Sequence, residues 1–143
     1  MRVNVLFRNG FGIDRLLNEN NFFTMITQYE VPGYLREQIP SLSSNPLPGR
    51  ASLEIYAYMN SFSDYTRHAV QEHDLSMAGK CFALAEKLYK EGDNLVKLLI
   101  ENSFLYSITS YMPMELSEKN KVKAIIPVKL YDVYIKQVTH NGY

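Results

Sequence analysis

The chain has 143 residues, a formal net charge of zero and an apolar fraction of 46%. Domains commonly contain about 100–150 residues, so this length fits a single folded domain. Fifteen basic residues are balanced by fifteen acidic ones, whereas nucleic-acid-binding domains concentrate an excess of Lys and Arg on one face. A short basic cluster at Lys119, Lys121 and Lys123 is the only local departure from this balance. Nucleic acid is therefore not the expected partner.

The sequence also indicates where the protein works. Cys81 is its only cysteine, which suits a reducing compartment. The N-terminus has no apolar segment of signal-peptide length, and no apolar run approaches the roughly 20 residues of a membrane helix. We therefore expect a cytoplasmic protein that is not embedded in a membrane. No sequence motif for a metal, nucleotide or other cofactor is present.

The first third of the chain predicts an arm and a linker. Residues 1–12 are expected to form a tail or a short strand, and residues 13–40 a helical arm. In this arm one helix begins at Asp14 and ends at Pro32-Gly33, and a shorter helix follows from Tyr34 to Ile39. Residues 41–49 are rich in Ser and Pro, which is typical of a linker.

Residues 50–143 predict a helical body. One helix covers Leu53 to His73, with a stripe of side chains spaced by three and four residues at Ile55, Met59, Phe62, Thr66 and Ala69. Further helices begin at Asp74, at Asp93, near Ser117 and at Pro127, and Gly142 is the expected C-terminal cap of the last one. Short connections favour antiparallel neighbours. The fold class is therefore all-α, an irregular antiparallel bundle of five to six helices with an N-terminal arm.

The helix between Asp93 and Tyr111 is apolar almost all round, so we expect it at the centre of the bundle. Glu101 and Asn102 interrupt this helix, and buried polar groups need partners. We expect Lys97, one turn earlier, to pair with Glu101, and Asn102 to bond across the bundle. A structural polar network is the favoured interpretation, and a pocket-lining role is the alternative.

Asp64, His68 and Glu72 form the best constellation for chemistry. Their spacing places a carboxylate, an imidazole and a second carboxylate in one stripe of a helix. Such a stripe offers metal ligands or an acid–base pair. It points away from the apolar stripe, however, so a solvent-exposed salt-bridge role is favoured. His73, His140 and Cys81 are predicted to be structural.

Tyrosine is unusually frequent, with eleven residues and no tryptophan. Tyrosine combines apolar area with a polar tip and is enriched in binding surfaces, although it also fills partly buried seams of helical bundles. The candidates for an aromatic interaction face are Tyr56, Tyr58, Tyr65, Tyr131 and Tyr134.

Several segments resemble a known family. The blocks DYTRHAV, CFALAEKLYKEG and LIENSFLYSITS, between Tyr58 and Ser110, resemble a family of small bacterial helical proteins of unknown function. The terminal block IPVKLYDVYIKQVTHNGY is similar to the end of those proteins. The resemblance covers about residues 50–143, implies a compact all-α fold in the bacterial cytoplasm and assigns no activity. It marks Glu101, Asn102, Lys136 and Gln137 as candidate signature positions.

Two hypotheses for function follow. The first is a non-enzymatic protein-interaction module (an adaptor, an antagonist or a homodimer) that uses an aromatic-rich helical face. The alternative is a small enzyme, or a ligand- or metal-binding protein, with a pocket near Asp64, His68 and Glu72 or near Glu101 and Asn102. The second hypothesis requires polar groups such as Asp64, His68, Glu101 and Tyr106 to converge on one cavity.

Overall fold

A computed structural model describes residues 25–42 and 53–140 of the chain. Across those ranges the fold is all-α, which confirms the predicted fold class. Residues 94–110 form one continuous helix, here called the central helix, in which a π-helical segment, Ile100–Leu105, separates two α-helical parts. The α-helices are α1 (Val31–Gln38), α2 (Glu54–Gln71), α3 (Leu75–Glu91), α4 (Asn94–Leu99), α5 (Tyr106–Ser110), α6 (Leu116–Ile125) and α7 (Val128–His140).

Two aspartates begin helices as predicted. The side chain of Asp74 accepts a hydrogen bond from the Met77 backbone N–H at 3.1 Å and caps α3. Asp93 caps α4 in the same way, accepting from the Val96 N–H at 3.0 Å. Each carboxylate satisfies a backbone donor that the first turn of a helix leaves unpaired. The connection before each cap is short, so α2, α3 and the central helix are antiparallel neighbours.

His73 ends α2 in a left-handed conformation, with a φ of 61°. Its N–H donates to the Val70 carbonyl, and the Asp74 N–H donates to the Ala69 carbonyl. This pair of bonds is the Schellman arrangement, in which the left-handed residue is usually glycine. The exposed ring of His73 lies 2.9 Å from a Glu118 carboxylate oxygen of α6, so its role here is structural.

The predicted end of the first helix is wrong. Pro32 and Gly33 do not stop a helix but lie in the first turn of α1. Proline is tolerated there because the N–H groups of the first turn have no acceptor within the helix. Residues 25–30, predicted to be helical, form an extended segment and a turn. The backbone groups of Ile26 and Gln28 bond to another part of the chain, whereas Thr27 and Glu30 bond to each other within the turn.

This extended segment is bonded to the turn between α3 and α4. The Ile26 N–H donates to the Glu91 carbonyl at 2.7 Å, and the Asp93 N–H donates to the Ile26 carbonyl at 2.9 Å. The Asp93 carboxylate also accepts from the Gln28 N–H at 2.8 Å. Ile26 and Gly92 thus form an isolated parallel bridge, and one aspartate both caps a helix and holds the N-terminal segment.

The hydrophobic core lies between α1, α2, α3 and the central helix. All five members of the predicted α2 stripe are buried, from Ile55 to Ala69. Phe104 of the π segment stacks on Phe62 with ring centroids 4.7 Å apart, and it meets Phe82 edge-on at 6.0 Å. Cys81 is also buried, as predicted, and burial raises the pKa of its thiol. The α1 helix adds buried Val31 and Leu35 to the same core.

Several sequence predictions lie outside the described residues. These are the tail or strand at 1–12, most of the helix starting at Asp14, most of the linker at 41–49 and the Gly142 cap. The side chain of His140 also lies outside the described part of the chain. Within the described ranges, none of the helices is both long enough and apolar enough to cross a membrane.

A pair of glycine substitutions tests the bridge at Gly92. A Cβ atom added to Gly92 would overlap the Val96 side chain and the Leu88 carbonyl oxygen, whereas one added to Gly79 of α3 meets nothing within 4 Å. We expect Gly92→Ala to lower the free energy of unfolding by about 1–3 kcal/mol because the site is overpacked. The control Gly79→Ala should raise it by about 0.5–1 kcal/mol, since alanine favours a helix interior. Denaturant unfolding of both variants measures this, and equal effects would contradict the close approach at Gly92.

Candidate functional site

The central helix is not buried all round, contrary to the sequence prediction. One stripe of it faces solvent: Leu98 is 53% exposed, Tyr106 is 47% exposed, and Asn102 lies exposed between them. The opposite side carries the buried residues Ile100 and Phe104. Asn102 therefore does not bond across the bundle as predicted. The helix has a core face and a surface face, and the π segment connects its two halves.

The π segment is bonded to α7 by one side chain. In π-helical turns the backbone hydrogen bonds span five residues instead of four, and such turns occur frequently at functional sites. The Glu101 carbonyl oxygen, inside the segment, accepts a hydrogen bond from Gln137 Nε2 at 2.8 Å. Gln137 Oε1 in turn accepts from the Thr109 hydroxyl at 3.2 Å. The amide of one α7 residue thereby bridges the π segment and α5.

The Glu101 side chain bonds to α3. Its carboxylate accepts a short hydrogen bond from the Tyr89 hydroxyl, at 2.5 Å, and does not pair with Lys97 as predicted. This hydrogen bond, with a smaller contribution from burial, raises the pKa of Tyr89 from 10.0 to about 12. The phenol consequently stays protonated at neutral pH and acts as a donor. The predicted polar network around Glu101 exists, with partners on α3 and α7.

A groove of about 450 Å³ lies beside this network, between α5, α6 and α7. Buried Tyr134 of α7 and half-exposed Tyr106 of α5 both line it. Thr109 belongs to both the groove and the network, because its hydroxyl donates to Gln137. The volume is in the range of about 300–1,000 Å³ that is usual for binding sites. We call this feature the α5–α7 groove, and its lining residues are Tyr106, Thr109, Ser110, Met112, Lys119, Tyr134 and Val138.

The groove has apolar walls with one cationic side chain. Lys119 of α6 lines it and is partly buried. Within the described residues Lys119 forms no salt bridge, whereas Lys121 of the same helix pairs with Glu118 at 3.2 Å. Thr109, Ser110 and the tyrosine hydroxyls add polar groups around the apolar surface. The groove can therefore hold an apolar group beside a negative charge.

The predicted stripe of Asp64, His68 and Glu72 is exposed to solvent along α2. Asp64 pairs with Arg67 at 3.0 Å, in agreement with the salt-bridge interpretation. The Arg67 guanidinium lies over the ring of Tyr111, 4.7 Å from its centroid. In the described parts of the chain, no three His, Cys, Asp or Glu residues are placed to hold a metal ion together.

The five candidate tyrosines do not form a single exposed face. Tyr58 and Tyr134 are buried, Tyr65 and Tyr131 are partly buried, and only Tyr56 is largely exposed. Tyr58 belongs to the hydrophobic core, and its hydroxyl accepts a hydrogen bond from Arg36 of α1 at 3.1 Å. Of the five, Tyr134 lines the α5–α7 groove.

Sequence reasoning missed most of the residues at this site. The family resemblance marks Gln137 but gives it no role. Thr109, Met112 and Lys119 belong to none of the ligand patterns or hydrophobic stripes that the sequence predicts. Tyr89 is one of the eleven tyrosines, and no sequence pattern singles it out. The π segment has no sequence signal of its own, and it determines which groups of the central helix meet α7.

The bridge from Gln137 can be tested by truncation. Gln137→Ala leaves the Glu101 carbonyl without its Gln137 partner in a partly buried location, while the Thr109 hydroxyl keeps its hydrogen bond to the Leu105 carbonyl at 2.9 Å. We expect the free energy of unfolding to fall by about 1–3 kcal/mol. The exposed neighbour Lys136 provides the control, and Lys136→Ala should change it by less than about 0.5 kcal/mol. If the two variants unfold at the same denaturant concentration, the bridge contributes nothing to stability.

The bond between Tyr89 and Glu101 predicts a dependence on alkaline pH. Because folding raises the pKa of Tyr89 from 10.0 to about 12, its contribution to stability is complete below pH 10 and is lost as pH rises through 12. Tyr89→Phe should be less stable than the natural chain by about 1 kcal/mol at neutral pH. This difference should shrink between pH 10 and 12 in denaturant unfolding. If the stability difference between Tyr89→Phe and the natural chain stays constant over this pH interval, the hydrogen bond from Tyr89 to Glu101 is contradicted.

Comparison with known proteins places the chain in a family. A family model matches residues 32–141, which is more than three quarters of the chain. The match begins earlier than the resemblance seen in the sequence, which started near residue 50, so it includes most of α1. No curated protein and no solved structure matches the chain. The chain belongs to the family described as domain of unknown function DUF7674.

Proposed function

We propose that this domain is a non-enzymatic protein-interaction module that binds its partner at the α5–α7 groove and the exposed apolar side chains beside it. The observation that carries the proposal is the uneven distribution of apolar surface. Of the eleven large apolar side chains that are exposed in the described residues, six lie between 106 and 135. They are Tyr106, Tyr111, Met114, Leu116, Val128 and Ile135.

The exposure of these residues is large for apolar side chains. Met114 is 93% exposed and Leu116 is 68% exposed, and they lie two and four positions after Met112, which lines the groove. Concentrated apolar surface on a folded protein commonly marks a site of interaction with another macromolecule. Aromatic residues and Met are also enriched at protein interfaces, in agreement with the composition around the groove.

The alternative of a small enzyme or a ligand- or metal-binding protein receives less support from the geometry. It requires several polar groups, such as Asp64, His68, Glu101 or Tyr106, to converge on one cavity, and of these four Tyr106 alone lines the α5–α7 groove. Glu101 instead bonds to Tyr89, which remains protonated at neutral pH. This arrangement is suited to fixing the position of helices, and it offers no general base at the groove.

Photo-crosslinking tests the proposal, with a matched pair of tyrosines. Benzoylphenylalanine is introduced at Tyr106, which is 47% exposed, or at Tyr56 of α2, which is 43% exposed and does not line the groove. Crosslinking is performed in cells that express the protein naturally, and the products are identified by mass spectrometry. We expect a discrete protein product from position 106 and none of that size from position 56.

Light scattering of the full chain over a range of concentrations accompanies the crosslinking. A dimer that Tyr106→Glu dissociates would identify a second copy as the partner, and the crosslinked product would then be twice the mass of the chain. The proposal is overturned if position 106 gives no protein product and the chain remains monomeric, or if positions 56 and 106 give identical products.

A further inference from the structure

We infer that the occupant of the α5–α7 groove is a segment of a partner protein that presents a large apolar side chain next to a carboxylate. The inference rests on the proposed function and specifies the chemistry of the partner. It follows from the juxtaposition, at one place on the surface, of apolar side chains and a lysine that forms no salt bridge with the described residues.

The apolar requirement comes from the walls of the groove. Tyr134, which is buried, lines the groove, and Met112 and Val138 contribute flexible and branched apolar surface to it. Burial of an apolar side chain here removes from water both its own surface and that of the walls. Met adapts its shape to different occupants, which suits a site that receives a side chain from a partner.

The requirement for a carboxylate comes from Lys119. Its side chain is partly buried against the groove, and it forms no salt bridge with any residue that the structure describes. A buried apolar stem with a charged end at the edge of an apolar site is the usual arrangement of an interfacial lysine. A carboxylate seated above the groove would pair with this charge, whereas a second cation would be repelled.

The charge of the surrounding helices supports the same partner. Although the whole chain has a net charge of zero, the segment from 116 to 140 contains five lysines and only two carboxylates. One of these carboxylates, Glu118, is already engaged by Lys121 and His73. With Glu115, which caps α6, included, these two helices carry five lysines against three carboxylates, and this net positive charge favours the approach of an acidic segment.

A random peptide library displayed on phage tests the inference with the full chain as bait. Selections are made in parallel on the natural chain and on Tyr106→Ala, Lys119→Glu and Lys129→Glu. Lys129 is exposed on α7 and does not line the groove, so Lys129→Glu makes the same change in net charge outside the site. Thermal unfolding confirms that each variant is folded before selection. If Lys119→Glu is not folded, Lys119→Met replaces it.

We expect the natural chain to enrich peptides with Asp or Glu within a few positions of a large apolar residue. Fluorescence anisotropy with an enriched peptide should show binding weakened by about tenfold or more in Lys119→Glu, because one charge of the pair is reversed. Lys129→Glu should weaken it by less than about threefold, since exposed charges at a distance are screened. Tyr106→Ala should also reduce binding.

The results separate the inference from the proposed function. Enriched peptides that depend on Tyr106 but show no acidic preference, or that bind Lys119→Glu unchanged, overturn the inference and leave the interaction module standing. Failure of the natural chain to enrich any peptide over Tyr106→Ala overturns both. The choice of a protein partner is overturned if a random single-stranded DNA or dodecanoate binds the natural chain more tightly than the enriched peptide does. Such a ligand would also have to compete with the peptide and lose its binding in Lys119→Glu.

Discussion

The hydrogen bond from the Gln137 amide to the Glu101 carbonyl is the interaction on which the C-terminal half of this fold depends. A π segment leaves backbone groups that regular helical geometry would pair internally, and here a side chain from α7 bonds to one of them. The same amide accepts a hydrogen bond from Thr109, so α7 is aligned with both the π segment and α5. The α5–α7 groove exists because these elements are held at this separation.

The N-terminal half of the fold depends on a comparable backbone contact at Gly92. The absence of a Cβ atom there lets the chain pass close to Val96 and the Leu88 carbonyl, and Ile26 bonds on either side of the glycine. Asp93 reinforces the contact by bonding with both carboxylate oxygens, one to α4 and one to Gln28. Short polar contacts thus attach peripheral segments to a core that is otherwise built from aromatic and aliphatic packing.

The two sides of the bundle differ in a way that bears on function. On α2 the charged residues Asp64, His68 and Glu72 remain in water, and Asp64 has its own partner in Arg67. The segment that contains α5, α6 and α7 carries exposed apolar side chains and an excess of lysine, and one exposed tyrosine, Tyr106, and one lysine, Lys119, line the groove. Solvated ion pairs contribute little to binding or stability. Under the proposed function, affinity and selectivity come from the groove beside Lys119, which has no salt-bridge partner among the residues that the structure describes.

The sequence by itself determined the helices, because caps and apolar periodicity are local properties. Asp74 and Asp93 cap helices where their spacing predicts, and the α2 stripe is buried at every predicted position. The burial of Tyr58 and Tyr134, the partner of Glu101 and the start of α1 at Val31 were decided only by the tertiary structure. Each depends on atoms that are distant in sequence, such as Arg36 for Tyr58 and Tyr89 for Glu101. The π segment belongs to the same class, since the partner of its carbonyl lies 36 residues away in the chain.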